Sequence, residues 1–308
     1  MCGTDKTEYS QMKLTLMTRF CIVIAVFFIA FIAVSIFGSI LNSVDAISER
    51  TRILTISAVQ NIVVFILPAW VGARLESRQP MNKLSLTRCP RLQTIFGIIA
   101  IYVLALCALN QIVYWNDNMS LPSSMSEFEH TLRTWEDNSR ALTGVLLSDS
   151  SVGGLISGIL IIGCLTGLSE ELFFRAGIQR MLSESMSRHA AIWVSALIFS
   201  AMHFQFFGFV PRLLLGAFFG YLYTWSGTIW SSAFAHILNN SIVVLSSWLM
   251  ARGVDNADLE MAGVTETGFP IWACISAVLT VIFIMTCRSL FRSDKKLFKN
   301  KSYGKHNI

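Results

Sequence analysis

Charge is scarce in this sequence. Asp, Glu, Lys and Arg make up 14% of its 308 residues, while 54% are hydrophobic; a soluble domain carries about 25% charged residues. The balance excludes an ordinary soluble enzyme and indicates an integral membrane protein of the cell membrane. At this length the chain is mostly spans, with no room for a large separate soluble domain. A disulfide framework is also missing, since the seven cysteines are odd in number and include no CxxC pair. Cys21, Cys107, Cys164, Cys274 and Cys287 fall in apolar runs, and Cys2 and Cys89 in charged segments, so they read as small apolar fillers. There is no HExxH zinc signature, no repeat of fixed period and no low-complexity tract.

What is present is a series of apolar segments, each measured against the roughly 20 residues needed to cross the hydrocarbon core. They run approximately 19–42, 53–73, 94–115, 151–174, 190–206, 211–226, 229–250 and 270–290. The fifth and sixth are short and separated by "FGFVP", which predicts a hairpin. The first is too long for the apolar part of a signal peptide and lacks a cleavage site, so it reads as a true span. The expected fold is an all-α integral membrane protein of about eight transmembrane helices.

Orientation follows from Lys and Arg in the loops. Residues 74–91 carry Arg74, Arg78, Lys83, Arg88 and Arg91, and the C-terminal tail carries Arg288, Arg292, Lys295, Lys296, Lys299, Lys301 and Lys305. The opposite loops are acidic, with Asp117, Glu127, Glu129, Glu136, Asp137 and Asp149 in one and Asp255, Asp258, Glu260 and Glu266 in another. Eight crossings put both termini on the basic, cytoplasmic side. The tail's expected partner is an anionic lipid surface, where each Lys or Arg contributes about 1 kcal/mol. No folded basic module accompanies it, so nucleic acid is not an expected partner.

Three regions result: an N-terminal three-helix membrane region with an outer amphipathic loop (1–150), a core of helices (151–250), and an outer loop, last helix and basic cytoplasmic tail (251–308). Within the outer loop, "SSMSEFEHTLRTWEDNSRALTGVLL" has the spacing of a surface helix with Phe128, Leu132 and Trp135 on one face. Gly154/Gly158 and Gly216/Gly220 have the small-xxx-small spacing of closely packed helices.

The core is where polar residues enter the spans, at a cost of about 2.5–3.5 kcal/mol per charge at mid-helix, which makes them functional candidates. Glu170, Glu171 and Arg175 lie on the fourth helix, His203 on the fifth, and His236 and Asn240 on the seventh. Two of the five histidines fall here; His130, His189 and His306 lie in loops or the tail and carry no assigned role. If the fourth and fifth helices turn near "SESMSR", Glu170 and His203 stand equally far from that turn. Each is about 16 residues away, or roughly 25 Å, which sets them at one depth; if the helix protrudes into the cytoplasm, both fall in the cytoplasmic half or near the middle of the bilayer.

The residue types make chemical sense together. A carboxylate held out of water is tuned for general acid–base work. Arg175, one turn after Glu171, neutralises that neighbour and leaves Glu170 free. Histidines position water, stabilise an oxyanion or bind a metal, and an asparagine amide donates to an oxyanion. Such a set suits amide hydrolysis by activated water. Singly, each has a structural reading: an i,i+4 ion pair, a packing histidine, or Asn239 and Asn240 bonding helices together.

In order along the chain, "EELFFR" (170–175) fits EExxxR, "FSAMH" (199–203) fits FxxxH and "HILNN" (236–240) fits HxxxN. Three motifs in this order on successive membrane helices resemble the CPBP family of intramembrane endopeptidases. That family includes the CAAX prenyl proteases and the bacteriocin-processing or immunity (Abi) proteins. The resemblance implies an endopeptidase acting near the cytoplasmic membrane face, with 151–250 as its catalytic core. It implies that Glu170 activates water with His203, that His236 and Asn240 stabilise the oxyanion, and that Glu171 and Arg175 support the site. Family members are often called metalloproteases. Glu170, His203 and His236 suit either a three-ligand zinc site or a metal-free one, and metal-free activation is the expectation.

Two alternatives belong to other classes. A non-catalytic binding protein in bacteriocin self-protection would not require adjacent glutamates. A proton-coupled transporter would show a two-fold internal repeat and broken helices in both halves, and the sequence has no such repeat. As substrate, a prenylated CAAX tail, a leader peptide and the tail of a membrane protein serve equally well.

Overall fold

The computed structural model describes residues 14–255 and 257–303, and these form helices and connecting turns with no strand. The main helices are α1 (Leu16–Asn42), α2 (Glu49–Glu76), α3 (Leu92–Asp117), α4 (Ser126–Leu147), α5 (Val152–Leu182), α6 (Arg188–Ala201), α7 (Phe209–Ser226), α8 (Ile229–Ala251) and α9 (Ile271–Tyr303). Several begin where a hydroxyl satisfies free backbone N–H groups. Thr15, Ser48, Ser151, Ser187 and Thr228 cap α1, α2, α5, α6 and α8 in this way. Cys2, Lys305 and His306 lie outside the described residues.

Among the described residues, seven helices are long and apolar enough to cross a membrane: α1, α2, α3, α5, α7 with the single turn Phe206–Gly208 before it, α8 and α9. The chain is therefore a multi-pass membrane protein. The fifth expected span, at 190–206, is the short helix α6 of 14 residues, about 21 Å, against a hydrocarbon core of about 30 Å. It ends in a tight reversal: Phe204 takes a left-handed backbone (φ 53), and Ser200 Oγ donates to the Phe209 carbonyl at 2.7 Å. The expected hairpin is therefore present, with a short first arm.

The bundle has two unlike ends. At one, the start of α1, the end of α2 and the end of α5 meet on Glu76. Its carboxylate takes Arg19 at 2.8 Å, Arg180 at 2.6 Å and Lys83 at 3.4 Å. The turn before α8 docks here too, with Thr228 Oγ1 donating to the Arg88 carbonyl. Behind this end the phenylalanines of α1, α2 and α5 interlock: Phe27 stacks on Phe173 at 5.1 Å, and Phe65 meets Phe173 and Phe174.

At the other end α4 lies across the end of α3 and the α6–α7 turn. Asn116 joins them, donating to the Phe206 carbonyl and accepting from the Val210 amide. α4 is helical as expected. Leu132 and Glu136 are buried against the protein, whereas Phe128 and Trp135 are exposed. The Arg133 guanidinium sits 3.9 Å over the Phe207 ring and joins the helix to the α6–α7 turn.

The glycine spacings pack helices, as expected. A Cβ at Gly216 would meet Phe199 and Ala196 of α6, and one at Gly158 would meet Val244 of α8. At Gly167 one helix meets the backbone of another: a Cβ there would come within 2.9 Å of the Ile237 backbone nitrogen. That contact brings α8 against α5 one turn from Glu170 and Glu171.

Candidate active site

The site grows out of the middle of α5. Gly167–Glu171 is regular α-helix, flanked by wider π-helical turns at Ile159–Thr166 and Leu172–Gln179, a winding often found at functional sites. Ser169 on this segment donates to Asn61 of α2 at 2.5 Å, and Asn61 donates to Thr166. This polar clamp fixes the rotation of α5 and turns Glu170 and Glu171 toward α8.

Glu171 and Arg175 are fully buried. Arg175 Nε donates to Glu171 Oε2 at 3.0 Å, and its guanidinium lies 5.1 Å over the Phe199 ring. The other oxygen, Glu171 Oε1, accepts from His236 Nδ1 at 3.1 Å. A carboxylate paired with arginine only accepts, so Nδ1 of His236 carries the proton and Nε2 presents its lone pair. Across from Nε2, at 3.7 Å, stands Glu170 Oε2. That oxygen is buried and has no hydrogen-bond partner among the described residues. The Phe219 ring stacks on His236 with centroids 4.8 Å apart, and Phe199 meets it edge-on.

His236 also lines a cavity of about 520 Å³, together with Phe199, His203, Arg212, Asn239 and Asn240. His203 Nδ1 bonds the Phe199 carbonyl at 2.8 Å, which leaves Nε2 as its free nitrogen. Asn240 Nδ2 donates to the Ile162 carbonyl and its oxygen accepts from Asn239, so both amides belong to the wall. The structure thus brings Glu170, Glu171, Arg175 and His236 into one chain of contacts. It places His203 and Asn240 on the same cavity.

Sequence reasoning passed over several residues here. Arg212 of α7 lines the cavity and donates to the side chain and carbonyl of Gln205. Its signal was available, because an arginine in "FVPRLLLG" is a cation within an apolar span. Glu136 of α4 reaches the same cavity, with one carboxylate oxygen buried and unpartnered. Phe219 carried no signal, being one aromatic among many.

The cavity's remaining wall includes Asp117, Glu136 and Arg140, the last two from α4.

The donor set bears on the metal question. Glu170 and His236 are neighbours, while His203 is turned onto Phe199. Among the described residues no three His, Cys, Asp or Glu side chains converge closely enough to hold a metal ion. The expected trio Glu170, His203 and His236 is not assembled as ligands, and no step below passes through a metal.

A membrane-embedded carboxylate with an open oxygen beside a histidine suits an intramembrane protease-like role. The family comparison agrees. Residues 153–242 match the family described as "Type II CAAX prenyl endopeptidase Rce1-like", so over that stretch the chain is similar to those endopeptidases. The matched stretch runs from α5 into α8 and contains all three motifs, while α1–α4 and α9 lie outside it. Neither the comparison with curated proteins nor that with solved structures returns a match.

Proposed function

We propose that the chain is an intramembrane endopeptidase that hydrolyses peptide bonds with water activated by Glu170. The observation that carries this reading is the unpartnered Glu170 Oε2 facing His236 Nε2 at 3.7 Å. Two acceptors at that separation suit one water, which donates a hydrogen to each. Glu170 takes a proton from the water as the water oxygen attacks the carbonyl carbon, and passes that proton to the leaving nitrogen as the C–N bond breaks. His236, held by Glu171, accepts a hydrogen bond from the water's other hydrogen and orients its lone pair toward the carbonyl. Arg175 keeps Glu171 ionised, and Glu171 fixes the tautomer of His236.

The developing oxyanion needs donors. The second N–H of Asn240, the amide of Asn239 and the cationic Arg212 are the donors of the cavity wall. His203 orients the water or the substrate through Nε2. Residues 151–250 act as the catalytic core, and the anionic lipid surface remains the proposed partner of the basic tail. A non-catalytic binding protein would retain the motif residues without needing a carboxylate oxygen left open, so it fits the site less well.

The test is proteolysis by purified protein in liposomes, using fluorogenic peptides with and without a prenyl group. Wild type, Glu170→Gln and His236→Gln are compared with and without a strong chelator. Cleavage lost in both variants and retained under chelation is the expected result. Cleavage abolished by chelation and restored by zinc would overturn the metal-free step.

A further inference from the structure

We propose that the basic end of the bundle carries a phospholipid site, with the headgroup phosphate held between the ends of α5, α6 and α7. The site is separate from the catalytic cavity and does not depend on its chemistry.

A cavity of about 180 Å³ lies where these three helices end. Gln179, Arg180 and Ser183 of α5 and its turn line it, with Arg188 of α6 and Tyr223 and Thr224 of α7. It shares no lining residue with the site cavity. Its two arginines differ. Arg180 is spent, with two nitrogens on Glu76 at 2.6 and 2.8 Å and Nε on the Ala176 carbonyl. Arg188 is exposed and pairs with no carboxylate among the described residues. The acid one turn before it, Glu184, is taken by Arg19 and Arg180. An open guanidinium offers the planar fork that suits a phosphate. Tyr223 adds a hydroxyl whose contact with Ser85 is long, at 3.5 Å. A second observation asks for a donor in the ligand. Gln179 is 3% exposed, its Nε2 donates to the Gly220 carbonyl and to Thr224, and its Oε1 is buried with no partner. A carbonyl only accepts, so this amide cannot be turned round. A headgroup with hydroxyls beside its phosphate, as in phosphatidylglycerol, matches both needs.

The surroundings favour a lipid over a free phosphate. Residues 74–91 and 180–188, which meet at this end, hold seven Arg and Lys against Glu76 and Glu184, and basic pockets between membrane helices take lipid headgroups. From the cavity α6 runs into the bundle with Trp193 and Leu197 exposed one turn apart, which gives acyl chains an apolar face to lie on. On α7 the rings of Tyr221 and Trp225 lie 5.2 Å apart near the helix end, as aromatic side chains do at the headgroup level. A free phosphate would use the arginine and leave that face without a role.

The experiment is a lipid titration of the purified full chain in detergent, read by native mass spectrometry and by melting temperature. The probes are phosphatidylglycerol, phosphatidylcholine and inorganic phosphate. Phosphatidylglycerol is expected to show a saturable first binding event and to raise the melting temperature. Phosphatidylcholine, with no headgroup donor and no net charge, and inorganic phosphate should do neither at the same concentration. Arg188→Gln should weaken phosphatidylglycerol binding about fivefold, and Tyr223→Phe should weaken it as well. Arg78→Gln, in the same basic region but outside the cavity, should leave it unchanged. Melting temperatures without lipid show that each variant is folded. Equal binding of phosphatidylcholine, or stabilisation by inorganic phosphate as large as by the lipid, would overturn the assignment. So would equal weakening by Arg188→Gln and Arg78→Gln, because the attraction would then belong to the whole basic surface.

Discussion

Glu76 and Glu170 are both acidic and both shielded, yet they sit at opposite poles of what a carboxylate does in this bundle. Glu76 is saturated. Arg180 binds it through two nitrogens, at 2.6 and 2.8 Å, and Arg19 and Lys83 complete the set. Glu170 keeps an oxygen with no partner, facing the free nitrogen of His236. Burial does not separate the two roles; unused hydrogen-bonding capacity does. A saturated carboxylate holds helices together, whereas an open one in a membrane is a cost that function must offset.

The sharpest way to break the comparison is to remove the charge of each in turn. Glu170→Gln is expected to lower peptide cleavage by about 10²–10⁴-fold, the contribution of a general acid–base group, with the melting temperature nearly unchanged. Arg175→Ala acts on the neighbouring pair instead. It leaves Glu171 uncompensated in the interior and should cost about 3–5 kcal/mol of stability, read as a fall in melting temperature in detergent. If Arg175→Ala protein stays as stable as wild type, Glu171 has another partner and the chain of contacts through His236 is misassigned.

Glu76→Gln comes next. It should cost about 1–3 kcal/mol, the penalty for leaving charged partners unsatisfied, while cleavage per folded molecule stays at the wild-type level. Phe219→Leu is smaller. Losing the stack on His236 removes about 0.5–1.5 kcal/mol, expected as a several-fold fall in kcat with little change in KM. A preserved kcat would show that Glu171 alone orients the imidazole.

The mildest effect lies outside the membrane. The Leu121 amide, with Arg133, holds the Glu129 carboxyl below its ordinary range. A lowered carboxyl contributes stability above its unfolded value and loses it as pH falls through the folded one. The 119–121 turn should therefore stay docked on α4 at neutral pH and loosen in acid. Hydrogen exchange at those amides measures it.

The sequence made the site legible in its parts. Glu170, Glu171, Arg175, His203, His236 and Asn240 stood out because polar groups in apolar runs are rare, and the i,i+4 spacing of Glu171 and Arg175 already described their pairing. Helix identity was equally plain, apart from the short arm α6, where an apolar run and an aromatic turn have the same composition. Pairings between helices were not legible. That His236 turns to both glutamates depends on the close approach at Gly167, and that α4 walls the cavity depends on Arg133 over Phe207. Neither contact leaves a periodic trace in the sequence.

The most direct test of the account is to measure cleavage and melting temperature on the same preparations of Glu170→Gln and Glu76→Gln. The account predicts opposite outcomes: Glu170→Gln loses cleavage and keeps its melting temperature, and Glu76→Gln melts earlier and keeps its cleavage. Equal losses of stability in the two, with cleavage retained by Glu170→Gln, would contradict it and make Glu170 a second structural carboxylate.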